Sequence, residues 1–319
     1  MNILITCPPM LRSIEAFRLR FKELDFEVVT PTVVQTLSED ELLALVPEVD
    51  GWIIGDDPAT ARVFEAGRRG RLRAAVKWGV GVDNVDFDAC ARLGIRIGNT
   101  PGMFGREVAD LAYSYIVALA RQSFLIDSGV KSGLWPKPAG MSLAGKTVAL
   151  VGLGDIGRQL AKRLLVAEMN VIGYDPAFDS IALPDGVVKG SWPKRLEEAD
   201  FLVLTCALNP ATRHLLNATT LRIAREGVRV VNVARGALID EVALIDALQS
   251  GRVHSAALEV FDIEPLPSSS KLRAFADRCV FGSHNASNTI EAVARTSYQA
   301  LELLHQFLSE EPTLCHGQT

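Results

Sequence analysis

The sequence predicts an α/β protein with two domains, each built around a parallel β-sheet. Short runs of β-forming residues alternate with amphipathic stretches over nearly the whole chain, which is the pattern of βαβ units. These runs fall into two series, and one long helical stretch separates them. The length of 319 residues also exceeds the roughly 250–300 residues at which a single hydrophobic core stops growing.

The first series predicts five strands near the N-terminus. They are expected, in chain order, at NILITC, FEVVTP, GWIIG, AAVKWG and IRIGN. Helical stretches lie between them, and one of these, SEDELLALV, begins with a capping box formed by Ser38 and Glu41. Because strands joined through helices are parallel and covered on both faces, this series predicts a buried sheet.

The second series predicts another parallel sheet. Its strands are expected at KTVALVG, NVIGYD, FLVLTCA, RVVNVA, SAALEV and CVFGS. Between the two series, NTPGMFGREVADLAYSYIVALARQ predicts a long helix that starts just after Pro101. The last segment, NTIEAVARTSYQALELLHQFL, predicts a helix that returns to pack on the first domain. The expected domains are residues 1–100, completed by helix 288–319, and residues 101–287.

The composition argues against several classes of function. The net charge of −5 is spread over both signs without a basic cluster, so neither a nucleic acid nor a membrane surface is an expected partner. The longest apolar region contains Asp110 and is shorter than the ~20 residues of a membrane span. The N-terminal apolar run is too short for a secretion signal. We therefore expect a soluble, cytoplasmic protein.

The cysteines predict free thiols in a reducing compartment. They are scattered, with no Cys-x-x-Cys pair, so neither a disulfide framework nor a metal site is expected. Their positions are Cys7, Cys90, Cys206, Cys279 and Cys315.

A glycine-rich turn indicates a dinucleotide site in the second domain. In VALVGLGDIGRQLAKRL, Gly152, Gly154 and Gly157 follow a strand and open a helix with the spacing G-x-G-x-x-G. The first glycine permits a tight turn, the second admits a pyrophosphate, and the third lets helix and strand pack closely. The sequence therefore predicts a Rossmann domain.

Asp175 strengthens this prediction, because it ends the next strand at the distance that the dinucleotide fingerprint requires. A carboxylate there accepts hydrogen bonds from the ribose hydroxyls and repels a 2′-phosphate. No arginine follows in DPAFDS, so the sequence favours NAD over NADP. The alternative is that Asp175 only stabilises the turn before Pro176.

Three polar residues are expected at the carboxyl ends of strands in the second series, where open parallel sheets bind ligands. Arg235 follows RVVNVA, Glu264 lies just past SAALEV, and His284 follows CVFGS. An imidazolium can protonate a carbonyl oxygen near neutral pH, and a neighbouring carboxylate favours that charged form. The planar guanidinium can bind a substrate carboxylate with two hydrogen bonds. Together they predict the reduction of a 2-oxo acid, while His214, His254, His305 and His316 are less well placed.

The chain resembles the D-2-hydroxyacid dehydrogenases, including phosphoglycerate dehydrogenase. The resemblance rests on KWGVGVDNVD, GIRIGNTPG, GLWPKPAGMSLAGKTVALVGLGDIGR, NVARGALIDEVALIDAL and FDIEPLP. It implies a flavodoxin-like substrate domain and a Rossmann NAD-binding domain around a cleft, and a homodimer formed largely through the nucleotide domain. Unlike some relatives, the chain is expected to have no regulatory domain after the last helix. The resemblance also implies that Arg235, Glu264 and His284 are catalytic and that the backbone of Val80 and Gly81 binds the substrate carboxylate with Arg235.

The resemblance implies a larger set of residues at the NAD site, with no metal. These are Gly152, Gly154, Asp155, Ile156, Gly157, Asp175, Cys206, Ala207, Thr212, Ala234, Glu259, His284 and Ala286. Cys206 is expected to pack against the adenine rather than to react.

Four features depart from the family pattern. Glu259 stands where an aspartate usually contacts the nicotinamide amide, and Gly282 and Ser283 precede the histidine where the family usually has a proline directly before it. Phe104 replaces a common asparagine and is either an apolar wall of the cleft or a core contact. The acidic loop 55–60 stands where phosphoglycerate enzymes place an arginine. These changes leave hydride chemistry expected and argue against 3-phosphoglycerate.

Two other functions stay open at this stage. One is an NAD-sensing regulatory or partner-binding protein on the same fold, although the intact Arg–Glu–His set argues for an enzyme. The other is a dehydrogenase of a phosphonate-type substrate, which the same cationic site could bind. The exposed-looking Trp135 in GLWP is expected to pack locally, as aromatic residues beside prolines often do.

Overall fold

The computed structural model describes residues 1–310. By its internal contacts the chain divides into two units: one begins at Met1 and ends at Met103, with the segment from Asn288 onward added, and the other is Phe104–Ser287. The sequence predicts that residues 1–100 with 288–319 form the substrate-binding domain and that residues 101–287 form the NAD-binding domain. The functions of these two domains remain a prediction. Cys315, His316 and the end of segment 288–319 lie outside the described residues.

The first unit contains a five-stranded parallel sheet with the order β2-β1-β3-β4-β5, which is the flavodoxin-like order. Its strands are β1 (Asn2–Ile5), β2 (Glu27–Val29), β3 (Gly51–Ile54), β4 (Ala74–Lys77) and β5 (Arg96–Asn99). Its first helices are α1 (Pro8–Arg12), α2 (Arg18–Glu23), α3 (Glu39–Leu45), α4 (Ala61–Arg69) and α5 (Phe87–Leu93). Every residue of β3 and β4 is buried, as expected for a sheet covered on both faces. The capping box at Ser38 and Glu41 is confirmed.

The second unit contains a seven-stranded parallel sheet with the order β12-β11-β10-β9-β6-β7-β8, a doubly wound Rossmann arrangement. Its strands are β6 (Thr147–Val151), β7 (Asn170–Tyr174), β8 (Val187–Lys189), β9 (Phe201–Leu204), β10 (Val228–Asn232), β11 (Val253–Leu258) and β12 (Cys279–Phe281). Its helices are α6 (Gly105–Arg121), α7 (Ser123–Lys131), α8 (Asp155–Val166), α9 (Ala218–Ile223) and α10 (Glu241–Gln249). The fold class that the sequence predicts is confirmed.

The structure differs from the sequence-based expectation at two elements of this unit. Strand β8 was not expected, because its three residues are largely exposed at the edge of the sheet and lack the apolar run of the others. The long helix does not start just after Pro101: Gly102 has φ +72°, and helix α6 begins only at Gly105. It ends at Arg121, where Gln122 adopts φ +52° and separates it from α7.

The last helix, α11 (Ile290–Ser309), packs on the sheet of the first unit against β3, β4 and β5. Ala300, Leu301 and Leu304 on its inner face are fully buried. Trp78 fixes its position, since the indole Nε1 donates a hydrogen bond of 3.0 Å to Ser297 Oγ. No helix within residues 1–310 combines the length and apolar character needed to cross a membrane.

Candidate active site

Arg235, Glu264 and His284 follow three adjacent strands of the second unit, β10, β11 and β12. These strands are parallel neighbours, so their carboxyl ends lie at the same edge of the sheet. The structure thus brings together at one edge the three residues that sequence reasoning selected.

The backbone around Arg235 is organised by the buried amide of Asn232. Its Oδ1 accepts from Ala234 N at 3.1 Å, and its Nδ2 donates to Arg235 O at 2.8 Å. The half-buried guanidinium donates from Nη1 to Ala234 O at 2.8 Å. Because a buried amide with both ends bonded is costly to displace, Asn232 fixes the turn that presents the arginine.

His284 and Glu264 are directly bonded. The distance from His284 Nδ1 to Glu264 Oε2 is 2.7 Å, while Phe261 N donates to Glu264 Oε1 at 2.8 Å. The two side chains are 22% and 19% exposed, so the pair is partly shielded but reachable. Since an ionised carboxylate can only accept, Nδ1 carries a proton in this bond. Proton exchange with a substrate therefore has to use Nε2.

Gly236 lets the loop after β10 approach the loop after β11. A Cβ atom at this position would lie 1.9 Å from the backbone carbonyl carbon of Phe261. Phe261 N is the group that bonds Glu264 Oε1. Close backbone contact at Gly236 therefore sets the Arg235 loop against the loop that carries Glu264.

The backbone of His284 has φ +54°, a left-handed conformation that residues other than glycine rarely adopt. His284 N donates to Glu259 O at 2.9 Å, and Gly282 N donates to Leu258 O at 2.8 Å. These bonds tie the segment after β12 to the end of β11. Ala286, also predicted at the NAD site, follows in a half-buried position.

The glycine-rich turn lies between β6 and α8, where the sheet order reverses. Gly152 has φ +95°, and a Cβ there would lie 2.5 Å from Cys206 N. A Cβ at Gly157 would lie 2.0 Å from Gly152 O, so these two glycines are required by packing.

Gly154 differs from the other two glycines, because a Cβ there would meet no atom within 4 Å. It is the N-cap of α8, and it provides no side-chain cap to the amides of Asp155, Ile156 and Gly157. Open space in front of uncapped helix amides is the arrangement that binds a pyrophosphate. The turn therefore fits NAD.

Asp175 follows β7 and is bonded to the glycine-rich turn. Its Oδ2 accepts from Leu153 N at 2.7 Å, and its Oδ1 accepts from Ala177 N at 2.8 Å. The second bond is the turn role considered from the sequence, and the first places the carboxylate beside the pyrophosphate turn. Each oxygen keeps acceptor capacity, which is what a ribose diol requires.

The loop after β9 contains the remaining predicted NAD contacts. Burial raises the pKa of the Cys206 thiol to about 11, so the side chain stays neutral and suited to packing. Ala207 is exposed next to it. The hydroxyl of Thr212 donates to Ala207 O at 2.8 Å and accepts from Asn209 N at 2.8 Å, which fastens the loop on itself.

In the first unit, Val80 and Gly81 lie in the loop that follows β4. Val80 is 42% exposed, and Asn99 Nδ2 donates to Val80 O at 3.2 Å. Gly79 N donates to Thr100 Oγ1 at 2.8 Å, which ties the start of the loop to the end of β5. The predicted substrate-binding backbone is thus accessible and held at the carboxyl edge of the sheet.

A buried lysine lies at the same edge of that sheet. Lys77, the last residue of β4, has a side chain only 3% exposed. Its Nζ donates to Gly55 O at 2.6 Å and to Asp56 Oδ1 at 2.9 Å. Asn84 Nδ2 also donates to Gly55 O, at 3.2 Å. The acidic loop noted in the sequence therefore contains a carboxylate that neutralises a buried cation.

The exposed fractions of two aromatic side chains bear on expectations from the sequence. Phe104 is 6% exposed, which favours the core contact over the apolar wall. Trp135 is 76% exposed, so the expectation that it packs locally is wrong. Leu134 beside it is 65% exposed, and the two leave an apolar surface uncovered.

Comparison with known proteins identifies the family. The family model described as D-isomer specific 2-hydroxyacid dehydrogenase, NAD binding domain, matches residues 113–286, more than half of the chain. The chain belongs to this family. As a D-isomer specific 2-hydroxyacid dehydrogenase, it is an NAD-dependent oxidoreductase of 2-hydroxy acids, and NAD as its cofactor is confirmed.

Relatives of this dehydrogenase cover nearly the whole chain. A hydroxypyruvate reductase from Thermotoga maritima is 35% identical over 298 residues, 92% of this chain and 95% of the relative. The solved structure of TT0316 protein from Thermus thermophilus has a TM-score of 0.85 and 32% identity, covering 98% of this chain and 99% of that one. D-3-phosphoglycerate dehydrogenase from Rattus norvegicus is 37% identical over 82% of this chain. The chain spans about half the length of that relative, 49%.

Three residues that organise this dehydrogenase's site escaped sequence reasoning. The sequence gives one indication for Asn232, which is an amide within a run of buried β-forming residues. It gives only a weak indication for Gly236. It gives none for Tyr115, because the Tyr115 hydroxyl bonds Glu259, which is distant in sequence.

Proposed function

We propose that the protein reduces small, unphosphorylated 2-oxo acids to D-2-hydroxy acids with NADH, and that the reaction is reversible. The observation that carries this proposal is the 2.7 Å bond between His284 Nδ1 and Glu264 Oε2 at the sheet edge that Arg235 shares. When bound, the cofactor supplies or accepts the hydride. The roles below belong to this chain's own residues.

Arg235 binds the substrate and polarises its carbonyl. A guanidinium presents parallel N–H donors to a carboxylate and remains charged at every physiological pH. The backbone N–H groups of Val80 and Gly81 are proposed to complete the carboxylate site. The accessible loop after β4 supports this assignment.

His284 acts as the acid in reduction and as the base in oxidation. Glu264 orients the ring through Nδ1 and favours the imidazolium by its opposite charge. The proton that reaches the carbonyl oxygen comes from Nε2. General acid–base catalysis requires an imidazole that can exchange its proton and a group that holds it in place, and His284 and Glu264 are proposed to fill these two roles.

The cofactor site is proposed to comprise the residues predicted from the resemblance, with the exception of Glu259. Gly154 and the first amides of α8, at Asp155, Ile156 and Gly157, bind the pyrophosphate. Asp175 binds the ribose, and Cys206 packs against the adenine. The other proposed contacts are Gly152, Ala207, Thr212, Ala234, His284 and Ala286.

The proposed substrate class rests on Lys77 and Asp56. A second anionic group on the substrate needs an uncompensated cation, but the buried ammonium of Lys77 already contacts a carboxylate. A hydroxyl group at the same place on the substrate is uncharged and needs no such cation. The hydroxypyruvate reductase of Thermotoga maritima, similar over nearly its whole length, supports the same class.

The test is a panel of 2-oxo acids assayed by the loss of NADH absorbance. We expect turnover of hydroxypyruvate, glyoxylate or pyruvate and poor turnover of 3-phosphohydroxypyruvate. Asp56→Asn should raise kcat/KM for the phosphorylated compound relative to hydroxypyruvate by roughly 3- to 10-fold, because it removes one repelling charge. Asp40→Asn, at an exposed position of α3, is the charge-matched control. Failure to oxidise NADH with every 2-oxo acid would contradict the proposal.

A further inference from the structure

Glu259 is a buried carboxylate whose two oxygens both have partners inside the protein. It is 1% exposed. Tyr115 Oη on α6 donates to Oε2 at 2.5 Å, and Asn285 N donates to Oε1. Burial, and then the neighbouring carboxylate, raise the pKa of Tyr115, so its hydroxyl remains a donor. The carboxylate thus joins a helix to the residue that follows His284.

Gly282 makes room for this carboxylate. A Cβ atom at position 282 would lie 1.7 Å from Glu259 Oε2 and 2.7 Å from Tyr115 Oη. Any side chain there would displace the acid or its partner. The longer acid at 259, one of the departures from the family pattern, therefore occupies the space that a side chain at position 282 would need.

Glu259 holds His284 from both sides. Its backbone oxygen accepts from His284 N at 2.9 Å, and its side chain accepts from the next amide, Asn285 N. His284 has φ +54° between these two bonds. Such a backbone is strained and persists only where its surroundings fix it.

We infer that Glu259 is a positioning residue for His284: anchored by Tyr115, it holds the segment Gly282–Asn285 in the conformation that aims the imidazole at the substrate, and it does not contact the cofactor. A side chain 1% exposed, with both oxygens bonded, has no surface to offer a nicotinamide. This inference rests on the proposed role of His284 as the acid.

The first test removes the anchoring hydroxyl. Tyr115→Phe should lower kcat by roughly 10- to 100-fold, since small misplacements of a reacting group have effects of that size. The NADH dissociation constant and the substrate KM should stay within about 2-fold. Tyr113→Phe, two residues earlier on α6, is the matched control and should behave as wild type. Unchanged kcat in Tyr115→Phe overturns the inference.

The second test exploits the shared space of Glu259 and Gly282. Gly282→Ala alone should lower kcat by more than roughly 10-fold, because the methyl group collides with the carboxylate. Glu259→Asp shortens the acid and leaves room, so adding Gly282→Ala in that background should lower kcat little further. Equal losses in the two backgrounds would show that the acid does not share that space with position 282 and would overturn the inference.

Measuring cofactor binding distinguishes a Glu259 that positions His284 from a Glu259 that contacts the cofactor. Glu259→Gln should lower kcat at saturating NADH while leaving the NADH dissociation constant, measured by fluorescence quenching, nearly unchanged. An increase of about 10-fold in that constant with unchanged kcat would assign Glu259 to the cofactor instead.

One readout does not depend on turnover. The chain has five histidines, so the ring signal of His284 in ¹H–¹³C NMR spectra can be assigned by its loss in His284→Ala. Tyr115→Phe should move this signal and Tyr113→Phe should not. Inactivity of the wild type with all 2-oxo acids would refute the proposed function, whereas an unmoved His284 signal would refute the positioning role by itself.

Discussion

His284 shows how much one residue depends on its bonding partners. Its ring is oriented by Glu264 through Nδ1, and its backbone is fixed in a left-handed conformation. Sequence reasoning could select Arg235, Glu264 and His284, because the chemistry requires those residue types and strand ends bring them to one edge. It could not find Tyr115 or the full role of Glu259, since a contact between residues 115 and 259 depends on how α6 packs.

Removing the charge of Glu264 should change the pH dependence of reduction. The reaction needs protonated His284, so the rate falls as rising pH removes that proton. Glu264→Gln eliminates the opposite charge that favours the imidazolium, and the ring then loses its proton at a lower pH. The alkaline limb of the kcat profile should therefore move to lower pH, with activity partly recovered in acidic buffer.

His284→Ala is the companion variant. It should lose roughly 10²–10⁴-fold in kcat without recovery in acid, the usual contribution of a positioned acid. Glu264→Gln should bind NADH normally, because Glu264 is not among the proposed cofactor contacts. A Glu264→Gln profile that superimposes on the wild type would refute the pairing, and near-normal turnover by His284→Ala would refute the assignment of the acid.

At the scale of elements, the site is a set of loops at the ends of neighbouring strands. The strands themselves were predictable from apolar runs between turn residues, and their parallel pairing follows from the βαβ pattern. Strand β8 was not, because its short, exposed sequence resembles a loop and only pairing with β7 makes it a strand. The close approach of the loops at Gly236 was also not predictable, as it joins residues on different strands.

Gly236→Ala should force two loops apart. The new methyl group would overlap backbone atoms of Phe261 and Asp262, which cannot move aside as a side chain can. We expect kcat to fall by more than about 10-fold and the melting temperature to fall, since overpacking typically destabilises by roughly 1–3 kcal/mol. Gly98→Ala is the control, because its methyl group would meet only the ends of the Leu303 and Phe307 side chains. Wild-type kcat in Gly236→Ala would show that the loops tolerate separation.

For the whole molecule, three exposed apolar side chains lie on α7 and the loop that follows it. Phe124 is 51%, Leu134 65% and Trp135 76% exposed. Where such side chains form one contiguous patch, they often mark an interaction site. We propose that these side chains lie where two copies of the chain meet, consistent with the homodimer that the family resemblance implies.

We expect the wild type to be a dimer and the replacement of both Leu134 and Trp135 by serine to convert it to a monomer, because it removes large apolar side chains from the proposed contact. Sedimentation equilibrium measures the result directly. Val166→Ser, at an 86% exposed position of α8, should leave the mass unchanged. A wild-type monomer, or a double variant with the wild-type mass, would exclude this surface as the interface.

The bond from Leu153 N to Asp175 has a consequence for redesign of the enzyme. Engineering a preference for the phosphorylated nicotinamide cofactor ordinarily begins by deleting the acid at the end of this strand. Here the deletion would also take away the acceptor that fastens the glycine-rich turn. A successful exchange must keep an oxygen at position 175, as serine or asparagine would, while a new arginine nearby receives the phosphate. Position 175 therefore has to meet two requirements at once, the choice of coenzyme and the bond that fastens the glycine-rich turn.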